Sequence, residues 1–115
     1  MAKAKETMIE RGSGNVYADL DMRDADEMLA KAELVSAIGR TLRERKLTQA
    51  DAAKIMGIDQ PKVSNLLKGQ FRGYSSDRLM QFLTLHGQDV IITIVPHSRQ
   101  EDKRGHVSIA MSQGR

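Results

Sequence analysis

The stretch from Leu47 to Gly69, LTQADAAKIMGIDQPKVSNLLKG, most limits what this chain can fold into. It reads as a helix, a tight turn and a second helix, with a physical reason for each boundary. Thr48 can cap the first helix, because its hydroxyl accepts a bond from an orphan backbone N–H. Gln49 to Met56 contain neither Gly nor Pro, and Ala50, Ala52, Ala53 and Ile55 tolerate close packing. Gly57 is the residue best able to end a helix in the left-handed conformation. Asp59 can cap the next helix, and its carboxylate suits a positive helix N-terminus. Pro61 falls in the first turn, where its missing N–H costs nothing. Ile58, Val63, Leu66 and Leu67 give that helix an inward face, and Gly69 ends it.

Thr48-Gln49, Ala53, Gly57, Ile58, Val63, Leu66 and Gly69 together resemble the helix-turn-helix of the XRE (Cro/CI-like) DNA-binding family. The resemblance implies that Ala53 is small because the two helices cross there, and that Gly57 makes the turn. The bland alternative is a helical hairpin with no role on DNA.

The rest of the composition narrows the class. A chain of 115 residues makes one domain with a modest core. Tyr17, Phe71, Tyr74 and Phe82 are its only aromatics, so the core must be aliphatic with Met as filler. There is no Cys, which excludes disulfides, thiolate chemistry and Cys-ligated metal. No apolar run reaches the ~18 residues of a membrane span, and the N-terminus lacks a signal-peptide core; a cytoplasmic protein is expected. Net charge is only +3, but it is unevenly spread. Residues 1–33 carry five basic and eight acidic side chains, whereas 40–78 carry nine basic and four acidic ones. The positive excess lies on the motif and its flanks, where a phosphate-binding surface would need it. Solvated helix faces would give the same count.

Three regions are expected: a leader over 1–23, a domain over 24–96 and a polar tail over 97–115. Within the leader, Val16, Tyr17, Leu20 and Met22 could dock on the domain or bind a partner. Asp24 and Glu27 suggest a capping box for a long helix running to about Arg45. Leu34, Ile38 and Leu42 form its stripe, and Gly39 is expected to permit close packing. Beyond Gly69, Phe71 and Tyr74 anchor a loop. Ser75 or Ser76 caps a further helix with Leu79, Phe82, Leu83 and Leu85 inward, ended by His86-Gly87.

Val90, Ile91, Ile92, Thr93, Ile94 and Val95 form an unbroken β-branched run stopped by Pro96, which predicts a strand. A single strand cannot pair with itself. The economical solution is pairing with the same strand of a second copy about a two-fold axis. The competing solution is a hairpin with residues 107–111. Otherwise His97 to Arg115, polar with Gly105, Gly114 and mixed charge, is expected to be a mobile tail.

Residues 12–96 resemble more narrowly the HigA-type antitoxin branch of the XRE family, through GSGNVYADL at the start and LMQFLTLHGQDVIITI at the end. The resemblance implies a mainly α fold, a five-helix lambda-repressor-like domain with a C-terminal β-strand paired across a homodimer. It also implies an autoregulating repressor that binds double-stranded operator DNA and neutralises a small RelE-like mRNA-cleaving toxin. The alternative is a stand-alone phage-type repressor with no toxin partner.

In such a fold the second motif helix enters the major groove with its N-terminal residues at base edges. Gln60, Lys62, Ser64 and Asn65 occupy its exposed positions, and a Gln or Asn amide can pair bidentately with adenine. Gln49, at the start of the first motif helix, can hold a phosphate. Lys68 and Arg72 could grip the backbone beyond, or serve as surface charge. His86, His97 and His106 lack the spacing of a metal site, and neither a nucleophile–base set nor a cofactor-binding loop is visible. A non-enzyme is expected.

Overall fold

The computed structural model describes residues 22–97 and 104–112. Four helices occur among them: α1 (Met22–Glu44), α2 (Gln49–Met56), α3 (Gln60–Leu67) and α4 (Ser76–Leu85). The expected fifth helix is not among the described residues. Neither is most of the leader, where residues 15–21 were expected to dock or bind.

The long helix α1 is the backbone of the packing and lies against α4 and α3, while α2 packs on α3 and α4. Leu34, Val35, Ile38 and Leu42 of α1 recur at helical spacing and are buried with Val63, Leu66, Leu79, Phe82 and Leu83. The outer face is polar, with Arg40 Nε 3.0 Å from Glu44 one turn on. The helix begins at Met22, so Asp24 lies inside the first turn and is not its cap. There its negative charge still suits the helix N-terminus, and Glu27 pairs with Lys31 at 3.7 Å.

All four helices end through a left-handed residue. Gly57, Gly69 and Gly87 serve α2, α3 and α4. At the end of α1 the residue is Lys46, with φ 59°. The Lys46 N–H donates to the Arg43 carbonyl at 3.1 Å and the Leu47 N–H to the Leu42 carbonyl at 2.9 Å, a complete Schellman closure without glycine.

Gly39 differs from its sequence expectation. A Cβ there would sit 3.6 Å from Arg43 Nη1 and 3.7 Å from Leu67 Cδ2, ordinary van der Waals distances. The α1–α3 crossing therefore has room for a methyl group, and glycine only loosens the helix. Gly39→Ala is expected to stabilise the fold by about 0.5–1 kcal/mol, which thermal or urea unfolding measures. A destabilised variant would show that the helices cross more tightly.

Ser75 caps α4, accepting from the Arg78 N–H at 3.0 Å. Phe71 is buried and Tyr74 meets Phe82 edge to face at 5.9 Å, so the loop is anchored as expected. Leu85, expected inward, is half exposed. Beyond α4, Thr41 ties the chain back to α1. Its hydroxyl donates to the Ala37 carbonyl at 2.8 Å and accepts from Gln88 Nε2 at 3.0 Å, which satisfies a fully buried group twice.

His86 takes the inward position that Leu85 leaves. It is buried, and neither ring nitrogen has a hydrogen-bond partner. Desolvation by burial, and secondarily the Arg45 charge, lower its pKa below the ordinary 6.5. The unfolded chain therefore binds the proton more readily than the folded one. Stability from this group is complete above the unfolded value and falls as pH drops through about 6.5 toward the lowered folded value. In denaturant titrations, wild type should lose stability below pH 6.5 relative to His86→Leu. Parallel pH profiles would contradict this.

Residues 88–97 form no strand in the single chain. The hairpin with residues 107–111 is absent too: no strand ladder occurs among the described residues. The physical reason is that segment 104–112 spends its contacts on α1 instead. Ile109 and Met111 pack on the core, and the Ile109 N–H donates to Glu33 Oε1 at 2.9 Å. This part of the tail, expected to be mobile, is docked.

Candidate nucleic-acid interface

The motif helices are fixed by local chemistry. Thr48 Oγ1 accepts from the Asp51 N–H at 3.0 Å, while Asp51 Oδ2 accepts from the Thr48 N–H at 3.3 Å, a reciprocal capping box. Gly57, at φ 74°, donates its N–H to the Ala53 carbonyl at 2.8 Å and turns the chain. Two residues on, Asp59 Oδ1 accepts from the Lys62 N–H at 3.1 Å and starts α3, with Pro61 in its first turn. Val63 and Leu66 are fully buried, so the rotation of α3 about its axis is set.

That rotation decides which side chains face outward. At 3.6 residues per turn, Pro61, Asn65 and Lys68 make the row opposite Val63 and Leu66, and all three are exposed. Gln60 and Ser64 lie one turn apart on one flank; Gln60 is exposed and Ser64 partly buried. Lys62 is exposed on the other flank. The expected set is thus brought together on one helix surface, with Asn65 at its centre. Gln49 sits at the first position of α2, partly buried, and Arg72 is exposed in the loop after α3.

Two groups stand out among the basic side chains of residues 40–78. Arg40 is paired with Glu44, Arg45 lies over the Gly87 backbone with Nη2 3.5 Å from its carbonyl oxygen, and Arg78 covers the Phe82 ring at 5.1 Å. These three serve the fold. Lys62, Lys68 and Arg72 have no acid partner among the described residues and are free to meet an anion. Lys46, exposed two residues before the α2 cap, and Lys54, exposed on α2, are further solvated cations of the motif and its flank. The signal of Lys46 in sequence was only its place in the run Arg43, Arg45, Lys46.

No helix among the described residues is long and apolar enough to cross a membrane. A groove of about 610 Å³ runs between α4 and the segment that follows it, bordered by Met80, Val90 and Ile92. It lies on the segment that carries the exposed isoleucines, away from the α3 row.

Comparison with known proteins adds to this geometry. Residues 16–95 match a family described as a helix-turn-helix domain. A solved structure described as an XRE family transcriptional regulator is similar at 34% identity and a TM-score of 0.68, over 77% of this chain and 99% of that one. No curated protein matches the sequence.

Proposed function

Because the chain belongs to the XRE family of helix-turn-helix transcriptional regulators, we propose that it is a sequence-specific repressor that reads operator DNA as a homodimer. The observation that carries this reading is the exposed row of α3, held in place by two capped helix starts and the Gly57 turn. Gln60 and Asn65 read base edges, with Lys62 and Ser64 on either flank. Gln49, Lys68 and Arg72 hold phosphates and fix the register.

A lone motif reads only a few base pairs, so specificity requires two copies about one helical turn apart, roughly 34 Å. Residues 90–95 hold the copies together by antiparallel pairing. The exposure of Ile91, Ile92, Ile94 and Val95 supports this role, since a monomer leaves an apolar, unpaired edge in water.

The finer reading is that of a cytoplasmic HigA-type antitoxin that binds and silences a RelE-like mRNA-cleaving toxin. It rests on the leader and on the LMQFLTLHGQDVIITI stretch. Co-expression with the neighbouring reading frame tests it. A stable complex and rescue of growth are expected. Absence of both, with operator binding retained, would leave a stand-alone repressor.

A further inference from the structure

Segment 104–112 offers a second kind of recognition, separate from DNA. It reaches α1 across a sequence gap of more than 70 residues and meets it with complementary chemistry. Arg104 Nη2 and His106 Nδ1 lie 4.0 and 3.6 Å from the two carboxylate oxygens of Asp26, whose side chain is only 17% exposed beneath them. Two turns along α1, Glu33 accepts the Ile109 N–H at 2.9 Å. Ile109 and Met111 are partly buried against the core, whereas Ser108, Ala110 and Ser112 face solvent. Over residues 108–112 that alternation is the pattern of an extended peptide laid on a surface, and it stops at Val107, which is exposed. Partly buried Met28 and Ala32 of α1 also pack on the core between the two acids.

We propose that the α1 face between Asp26 and Glu33 is a docking site for an extended basic–apolar segment. Residues 104–112 fill it within one copy, and the same segment of a second copy can fill it in exchange. A second copy is the fitting occupant because its chemistry is the one already seated: the Arg104 cation and the His106 ring for Asp26, a backbone N–H for Glu33 and apolar residues two apart. Exchange of an identical element is a low-cost route to association. The hold is light enough to permit it. The Arg104–Asp26 ion pair is long and its cation exposed, a geometry that contributes little, and His106 adds charge only when it is protonated. Only two side chains enter, and neither is fully buried. The cis segment is favoured by its tether, so trans docking emerges when the cis contact is weakened or copies are concentrated.

The test uses the full chain and a fluorescein-labelled peptide, RGHVSIAMS, identical to residues 104–112. Ile109→Asp with Met111→Asp empties the site without touching α1. This variant should bind the peptide at least about tenfold more tightly than wild type, which carries its own competitor. Adding Asp26→Asn and Glu33→Gln should abolish that binding. In the wild-type chain, excess peptide should move the Ile109 amide resonance toward its undocked position, a readout needing no variant. Equal affinity for wild type and emptied chain, no binding to either, or binding indifferent to Asp26 and Glu33 would overturn the proposal.

Discussion

Phe82→Ala is expected to cost about 3–5 kcal/mol and to lower the melting temperature by more than ten degrees. Phe82 is 1% exposed and lies on the face of α4 that packs against α1. Its ring takes the edge of Tyr74 at 5.9 Å and lies under the Arg78 guanidinium at 5.1 Å. Truncation removes the ring, leaves a cavity in a core with few aromatics to refill it, and strands both neighbours. The helices of the motif lean on this centre, since α2 packs on α4 and α3 on α1. A domain of this size holds a total of only about 5–15 kcal/mol, so DNA binding should fade near body temperature as well. Leu85→Ala, three residues along but half exposed, should change stability by less than about 1 kcal/mol. Similar losses in the two variants would mean that the inward face of α4 is misassigned.

Ile92→Pro should convert a dimer into monomers and reduce operator affinity by about a thousandfold or more, to near the level of random DNA. Ile91, Ile92, Ile94 and Val95 are 83, 71, 87 and 71% exposed, an apolar density that an isolated chain rarely leaves in water. Pairing across a two-fold would satisfy the backbone and bring isoleucines toward the groove beside Met80. Proline removes a ladder donor and fixes φ, so the edge cannot pair there. Because the segment is exposed in the single chain, the substitution should leave the helices intact, and the helical circular-dichroism signal should not change. Sedimentation of wild type and variant gives the masses. A monomeric wild type, or a variant that remains a tight dimer, would place the interface elsewhere.

The parts of this fold legible in sequence are those set by short-range chemistry. Thr48, Gly57, Asp59, Pro61 and Ser75 each act within a turn of their own position, and α2 and α3 begin and end where those residues put them. The α3 surface was legible for the same reason, since Val63 and Leu66 fix its rotation. Long-range contacts were not. Ile109 and Met111 read only as part of a candidate strand over residues 107–111, with nothing to point them at α1, and the Glu33 contact joins residues 76 apart. His86 was missed although it follows Leu79, Phe82 and Leu83 at helical spacing. In sequence it marked only the helix end with Gly87, while its position placed it on the buried stripe.

The measurement closest to the central claim is fluorescence anisotropy with two duplexes, the protein's own promoter and a scrambled sequence, across a range of salt. Wild type should prefer the promoter, with a log–log salt slope of roughly −5 to −9 for six to ten phosphate contacts per dimer. Gln60→Ala and Asn65→Ala should each cost about 1–3 kcal/mol on the promoter and little on the scrambled duplex. Equal loss on both duplexes would reduce these residues to backbone contacts, and no preference by wild type for its promoter would contradict the account.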